Sequence, residues 1–461
     1  MFRGNDAVTL AALIVTSCAL PLSARAQQAT APDAVPPARD ARIYAIVDAV
    51  SAERIERDIR TLAGFGTRNT LSDTLSDTRG IGAARRWIKS EFDRISAECD
   101  GCLEVSYQTS TVRARPQGSQ DTIEVNVVNV LAILRGTTHP NRHVIMAGDI
   151  DSRVSSTWDA TSDAPGANDN ASGMAGVLEA ARVLTRHRYG KSIVFVGLSG
   201  EEQGLWGGQH MARVAQEQGW IIEGVLNNDM IGNIEGIDGV IENTVFRVFS
   251  EPTPVTETER DRRARRTSGG EVDGISRQLA RYVHRITTDY FRNLDAMMIY
   301  RLDRFGRGGH HRPFNDLGFP GVRIMEAHEN YTRQHQNLRT ENGIAYGDVI
   351  EGVDFQYARK LTGVNAAVLG ALAWAPPPPD SVRIRGAVRP STSLSWSAVD
   401  HPELAGYKIY WRLTTAPQWT DWVFVGNVTE HVLESIIIDN YVFGVAAVGR
   451  DGNESVVVFG R

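Results

Sequence analysis

"HVIMAGDIDSR", residues 143–153, runs apolar for a few positions and then ends in two carboxylates one residue apart, Asp149 and Asp151. An apolar run cut off by paired acids reads as a buried strand handing over to a polar loop. The same handover recurs downstream. "SIVFVGL" (192–198) runs into "SGEEQGLWG" with Glu201 and Glu202, "EGVLNND" (223–229) closes on Asp229, and "GVRIMEA" (321–327) is a further strand. Between them, "SGMAGVLEAARVLTR" (172–186) places Met174, Val177, Leu178, Ala181 and Leu184 on one helical face, and a last amphipathic helix covers about Phe355 to Ala373. Strands alternating with helices predict an α/β fold, a mixed and largely parallel sheet flanked by helices.

Upstream, the pattern from Ile43 to Ile95 is helical, broken by "GFGTRNT" (64–70), and "IEVNVVNVLAIL" (123–134) reads as a strand. The residues before that are not fold. Arg3, the apolar run Ala7 to Leu22 and the small residues Ala24 and Ala26 have the layout of a signal peptide over 1–26, too short and interrupted for a transmembrane span. An exported, periplasmic or secreted chain is the expectation, with residues 27–40 as a flexible Pro/Ala-rich lead-in. The two cysteines beyond the leader, Cys99 and Cys102 in "CDGC", then form a local disulfide across a tight Asp-Gly turn. A structural zinc would need two more Cys or His ligands nearby.

At the other end, "WAPPPPD" (374–380) predicts a stiff linker after a domain spanning 41–374. Residues 381–461 change character: "LSWSAV", "GYKIYWR", "WVFVGNV" and "YVFGVAAVGRDGNES" are short strands with no helix between them. They predict a small all-β sandwich with Trp396, Tyr407, Tyr410 and Tyr441 as core aromatics, and they resemble a fibronectin type III module.

In open α/β sheets the carboxyl ends of the strands converge on one crevice. Asp149, Asp151, Glu201, Glu202 and Asp229 all sit at such ends, and Asp169 in "PGANDNASG" precedes the amphipathic helix. Each has an ordinary explanation alone. Asp169 or Asn170 would cap a helix, the glutamates would be a solvated pair, and Asp229 a turn residue. Brought together, carboxylates repel unless a cation or protons neutralise them, so the set points to a metal.

Taken with "NNDMIG", "HHRPFNDLGFPGVRI" and His335 in "YTRQHQN", these motifs resemble the M28 family of metallopeptidases over roughly Ile43 to Trp374. The resemblance implies two zinc ions bridged by Asp169, with Glu202 and His335 completing one position and Asp229 belonging to the other. It implies Glu201 as general base for an attacking water and His311 beside the substrate pocket. His328 is the weaker alternative to His335. Family members usually carry His-x-Asp where this chain has Asp149-Ile150-Asp151. In that arrangement the imidazole binds metal and the second acid accepts its other N–H. Here Asp149 is expected to ligate through oxygen, in a position that would suit Mn²⁺ or Mg²⁺ as well as zinc; the other outcomes are an empty second position or a dead enzyme.

The functional expectation is therefore an exported metal-dependent aminopeptidase acting on peptides. Two alternatives stay open: a single-zinc cyclotransferase resembling glutaminyl cyclases, and a non-catalytic binding protein whose sandwich contacts a surface or polymer. Among 461 residues the net charge is −6, which offers nucleic acid no basic surface, and "GKS" at 190–192 lacks the glycine a phosphate-binding loop needs. "ERDRRARR" (259–266) mixes signs and is expected to be a solvated insertion.

Overall fold

The computed structural model describes residues 34–461, so the expected leader at 1–26 lies outside the described residues. Eight strands form one sheet: β1 (Leu103–Ala114), β2 (Ile123–Leu134), β3 (His139–Asp149), β4 (Lys191–Leu198), β5 (Ile221–Asn228), β6 (Val245–Ser250), β7 (Asp295–Ile299) and β8 (Gly321–Glu326). Their order is β1-β2-β4-β3-β5-β8-β6-β7. The central run β4-β3-β5-β8 is parallel, as is β6-β7, whereas β1-β2, β2-β4 and β8-β6 are antiparallel. β4 is buried along its whole length, as an apolar strand covered on both faces must be.

The helices among the described residues are α1 (Ala41–Ala49), α2 (Ala52–Gly64), α3 (Gly80–Glu98), α4 (Ala171–Leu184), α5 (Glu201–Gly204), α6 (Trp206–Glu217), α7 (Glu259–Ser268), α8 (Ile275–Tyr290), α9 (Arg312–Asp316) and α10 (Phe355–Trp374). The structure gives α4 no solvent face: every one of its residues is buried, because α2 and α10 close over the side turned away from the sheet. The charged residues this traps are paired, Arg182 with Asp58 at 2.5 Å and Glu91 at 2.7 Å, and Glu179 with Arg54 at 2.5 Å. The "ERDRRARR" insertion is α7, capped by Thr258 and Asp261 and without a buried residue.

Register and close contact bring the strand ends to one level. Asp149 lies beside Leu198, and Gly148 beside Asn228, so the chain leaves β3, β4 and β5 at the same edge. There the first turn of α4 presses onto the sheet. A Cβ on Gly173 would stand 2.2 Å from the Asn228 carbonyl oxygen, and one on Gly148 would stand 2.8 Å from the Gly173 carbonyl carbon. Only glycine permits that approach.

Beyond α10 the chain forms a three-stranded antiparallel sheet facing a four-stranded one. Trp396, Tyr407, Ile409, Phe443 and Val445 fill the space between them. The strand Leu404–Leu413 shows how the module is mounted. Its inward residues, Tyr407 and Ile409, enter that core, while Lys408, Tyr410 and Arg412 alternate to the face turned towards α8. Arg412 pairs with Asp273 at 2.8 Å, Arg285 with Glu454 at 3.4 Å, and the Trp419 indole donates to Gln278 at 3.1 Å. Tyr410 is thus an interface residue, its hydroxyl donating to Glu454 at 2.5 Å. The prolines do not act as a free spacer: Ala375, Pro376, Pro377 and Pro379 are buried. The end of the lead-in is held too, since Asp40 is buried and accepts from Asn453 at 2.7 Å. Packing on both sides of the junction replaces the flexibility that composition alone suggests.

Cys99 and Cys102 are bonded, with Cα atoms 5.5 Å apart and Asp100 and Gly101 both at positive φ, the turn expected between them. Among the described residues no helix is long and apolar enough to cross a membrane.

Candidate metal centre

Asp169, Glu202 and His335 each offer a ligand atom, and the three atoms lie within 4.8 Å of one another. They arrive from three elements. Asp169 ends the loop before α4, Glu202 sits in the first turn of α5 just beyond β4, and His335 lies in the loop after β8. Asn170 caps α4, accepting from the Gly173 N–H, which leaves the Asp169 carboxylate free of the capping role. Asp348, which sequence reasoning missed, fixes the Asp169 backbone by accepting from its N–H at 2.6 Å and from that of Asn168 at 2.9 Å. Gln334, also missed, donates to Asp169 Oδ2 at 3.2 Å. His335 adopts a left-handed conformation at φ 56°, one a non-glycine residue holds at a cost of about 1–2 kcal/mol, and its Nε2 stands 3.0 Å from Asp169 and 3.3 Å from Glu202.

The remaining acids are arranged differently. Asp151 accepts the backbone N–H groups of Glu201 at 3.2 Å and Glu202 at 3.1 Å, so it anchors the turn that carries both glutamates. Asp229 lines the cleft with Asp169, Glu201, Glu202 and His335, and its Oδ2 lies 2.9 Å from the buried Arg323 guanidinium. Asp149 does not line the cleft. One of its oxygens meets His310 Nδ1 at 2.6 Å and the other accepts from Asn170 at 2.8 Å. His311, expected beside the substrate pocket, is instead fully buried with Nε2 2.8 Å from the Leu302 carbonyl. His328 is not in the cluster. Arg153, Arg304 and Arg307 complete the cleft wall.

Electrostatics here follow from burial and crowding. Burial, then the charges of Glu202, Asp229, Asp149 and Asp151, push the Glu201 carboxyl well above the usual range. Burial likewise raises Asp149 and Asp229, and raises Asp151 to about 7. Burial alone would discharge His335, but Glu202 and Asp169 outweigh it and hold its pKa up to about 9. Asp169 stays low because hydrogen bonds from His335 and Gln334 overcome its own burial. Where carboxylates force a proton onto an imidazole, positive charge is what the site lacks. Two carboxylates and one imidazole, with room towards a cleft, are a fitting three-ligand set for zinc with an open fourth position.

A model of the M28 peptidase family matches residues 129–350. A "Probable zinc metalloprotease" of Leptosphaeria maculans is 41% identical over 426 residues, spanning 92% of this chain and 98% of that protein. A relative of the same description from Pyrenophora teres f. teres is 40% identical, covering 92% and 88%. In fold, the chain resembles the aminopeptidase from Aneurinibacillus sp. strain AM-1, with a TM-score of 0.51, 13% identity and coverage of 72% and 96%. Legionella pneumophila LapB gives a TM-score of 0.51 at 15% identity, covering 72% and 75%. With its ligand cluster at the carboxyl edge of a mostly parallel sheet and these relatives along nearly its full length, the chain belongs to the M28 family of zinc metalloproteases.

Proposed function

We propose that this metalloprotease is an exported exopeptidase that hydrolyses N-terminal peptide bonds, with zinc held by Asp169, Glu202 and His335 and with Glu201 as general base. The observation that carries the reading is the three-ligand cluster opening onto a cleft that Glu201 also lines. Zinc bound there supplies Lewis-acid polarisation and a lowered water pKa. The chain's own residues do the rest. Glu201 accepts a proton from the attacking water and passes it to the leaving amine, a shuttle suited to a carboxyl whose proton affinity burial and neighbouring acids have raised. Asp151 holds the Glu201 and Glu202 backbone so that base and ligand keep a fixed separation. Export is supported by the sequence of residues 1–26 and by the Cys99–Cys102 disulfide. The C-terminal module is read as fibronectin type III-like; its docked face stabilises the catalytic unit, and its outer sheet is left for contact with a surface or polymer.

Removing metal with a chelator, restoring Zn²⁺ and following release from aminoacyl anilides and short peptides tests the reading. Metal-dependent release is expected, and its absence across a broad panel refutes it. A second reading concerns length. The guanidinium groups of Arg153, Arg304 and Arg307 on the cleft wall favour substrates that bring a carboxylate close to the scissile bond, as dipeptides and tripeptides do. Dipeptides should be cleaved faster than their C-terminal amides, and equal rates would dismiss this preference.

A further inference from the structure

The cleft over the candidate metal centre does not end at its arginines. Arg304 and Arg307 line that cleft and also line a second groove, of about 380 Å³, whose other walls carry Phe249, Ile299, Phe305 and Tyr331. Phe249 of β6 and Ile299 at the end of β7 pack on Met230 and Met325, so the floor is apolar and begins beside the Asp229 turn. The rim is aromatic: Phe305, in the loop before α9, is 86% exposed, and Tyr331 is 53% exposed on the loop that also carries His335. Large aromatic side chains left in water at the edge of a concavity mark a surface made for contact.

Charge divides sharply between the two spaces. Asp169, Glu201, Glu202 and Asp229 stand in the cleft, whereas four guanidinium groups line the groove against one carboxylate, Glu329. Glu329 is met by Arg307 at 2.9 Å, Arg304 at 3.0 Å and Arg247 at 3.1 Å, so positive charge is left over where cleft and groove join. Gln334 sets the spacing of that junction: it accepts from Arg307 at 3.4 Å and donates to Asp169 at 3.2 Å. The guanidinium thus stands one side chain away from a residue of the metal cluster. A short peptide carries an ammonium at one end and a carboxylate at the other. Acids draw the first and arginines the second, so one direction of threading satisfies both.

We propose that this groove receives the side chain that follows the scissile bond, and that the enzyme selects short peptides ending in a large apolar or aromatic residue. The carboxylate of that residue sits at Arg304 and Arg307, and its side chain turns between Phe305 and Tyr331 onto Phe249 and Ile299. Deepening the exopeptidase reading, the proposal rests on it for direction: in a dipeptide the carboxylate lies one residue beyond the bond that is cut, which is the offset Gln334 spans.

Full-length, zinc-loaded protein is assayed on leucyl-phenylalanine and leucyl-alanine, and each protein's ratio of kcat/KM is taken, so that losses of folded or loaded enzyme cancel. We expect the phenylalanine substrate to be favoured about tenfold in the wild type. In Phe305→Ala, whose exposed ring contributes little to the fold, that ratio should fall about 2–10-fold, and Tyr331→Ala should act likewise. Equal wild-type rates, or a ratio kept in both variants, overturn the proposal. So does a Phe305→Ala protein altered only in choosing between phenylalanyl-alanine and leucyl-alanine, since the groove would then serve the amino side. Calorimetric binding of the same dipeptides to zinc-loaded Glu201→Gln separates the two readings. A wild type that cleaves no peptide refutes the exopeptidase reading; tighter binding of leucyl-phenylalanine would still uphold the groove, and equal binding would overturn it.

Discussion

Asp273 is the residue on which the union of the two units turns. Its carboxylate accepts from Arg281 at 2.7 Å, from Arg412 at 2.8 and 2.9 Å, and from Gln278 at 3.0 Å. The side chains of Asp273, Arg281 and Arg412 retain 0, 2 and 1% of their exposure, so neither guanidinium has water as a substitute partner. Truncation to alanine strands two cations side by side in the interface. Removing one partner from a buried pair costs about 3–5 kcal/mol, and the shared anion places Asp273→Ala at the upper end. Arg412→Met should cost less, about 1–2 kcal/mol, because Asp273 keeps Arg281 and Gln278 and the apolar stem is replaced. The double variant should be more stable than Asp273→Ala alone, since one of the two stranded charges is gone. Urea unfolding followed by tryptophan emission reads this directly, as Trp419 lies at the junction. An Asp273→Ala protein within about 1 kcal/mol of wild type, or a double variant no better than Asp273→Ala, would refute the reasoning.

His143 is buried against Trp220, ring centroids 4.1 Å apart, and burial, helped by Arg135, pushes its pKa down to about 4. The folded protein therefore keeps it neutral while the unfolded chain takes up a proton near pH 6.5, so stability falls as pH drops from about 6.5 to about 4, by up to about 3 kcal/mol. His143→Phe should flatten that part of the thermal-unfolding profile, and an unchanged slope would assign it elsewhere. Gly173→Ala should cost about 1–3 kcal/mol and weaken zinc binding, because the new methyl meets the Asn228 carbonyl and the Asn170 amide; an unaltered melting temperature and zinc affinity would show the contact to be slack. Glu201→Gln should lower turnover about 10²–10⁴-fold with zinc content unchanged, measured by anilide release and metal analysis, whereas loss of zinc would make Glu201 a ligand instead of the base.

The strands and helices around the centre were legible because each is long, apolar and bounded by polar turns, as in 192–198 and 123–134. β6, β7 and α8 were not read from sequence. β6 and β7 are short edge strands of mixed polarity, and α8 buries arginines against partners far away in sequence, which periodicity cannot foresee. In the centre, Asp169, Glu202 and His335 stand out in quoted motifs and do meet. Asp348 and Gln334 act through single hydrogen bonds from loops, with nothing in their local sequence to mark them. The doubled histidine at 310–311 was visible, yet the member nearer the carboxylates could be told only from the contact with Asp149. The proline run was legible as a boundary but misleading as a spacer, since distant residues close on it, the buried Lys191 donating to the Pro376 carbonyl oxygen and Gly449 lying against the Pro376 ring.

That closure bears on how the protein withstands other peptidases. A junction between units is usually the first place a protease cuts, because cleavage needs a stretch of accessible, deformable backbone. Here the segment 375–379 is packed, and the module beyond it is pinned through Asp273 and Glu454. Cutting must wait for the units to part, so survival in a proteolytic setting is governed by the free energy of global opening and not by local fraying.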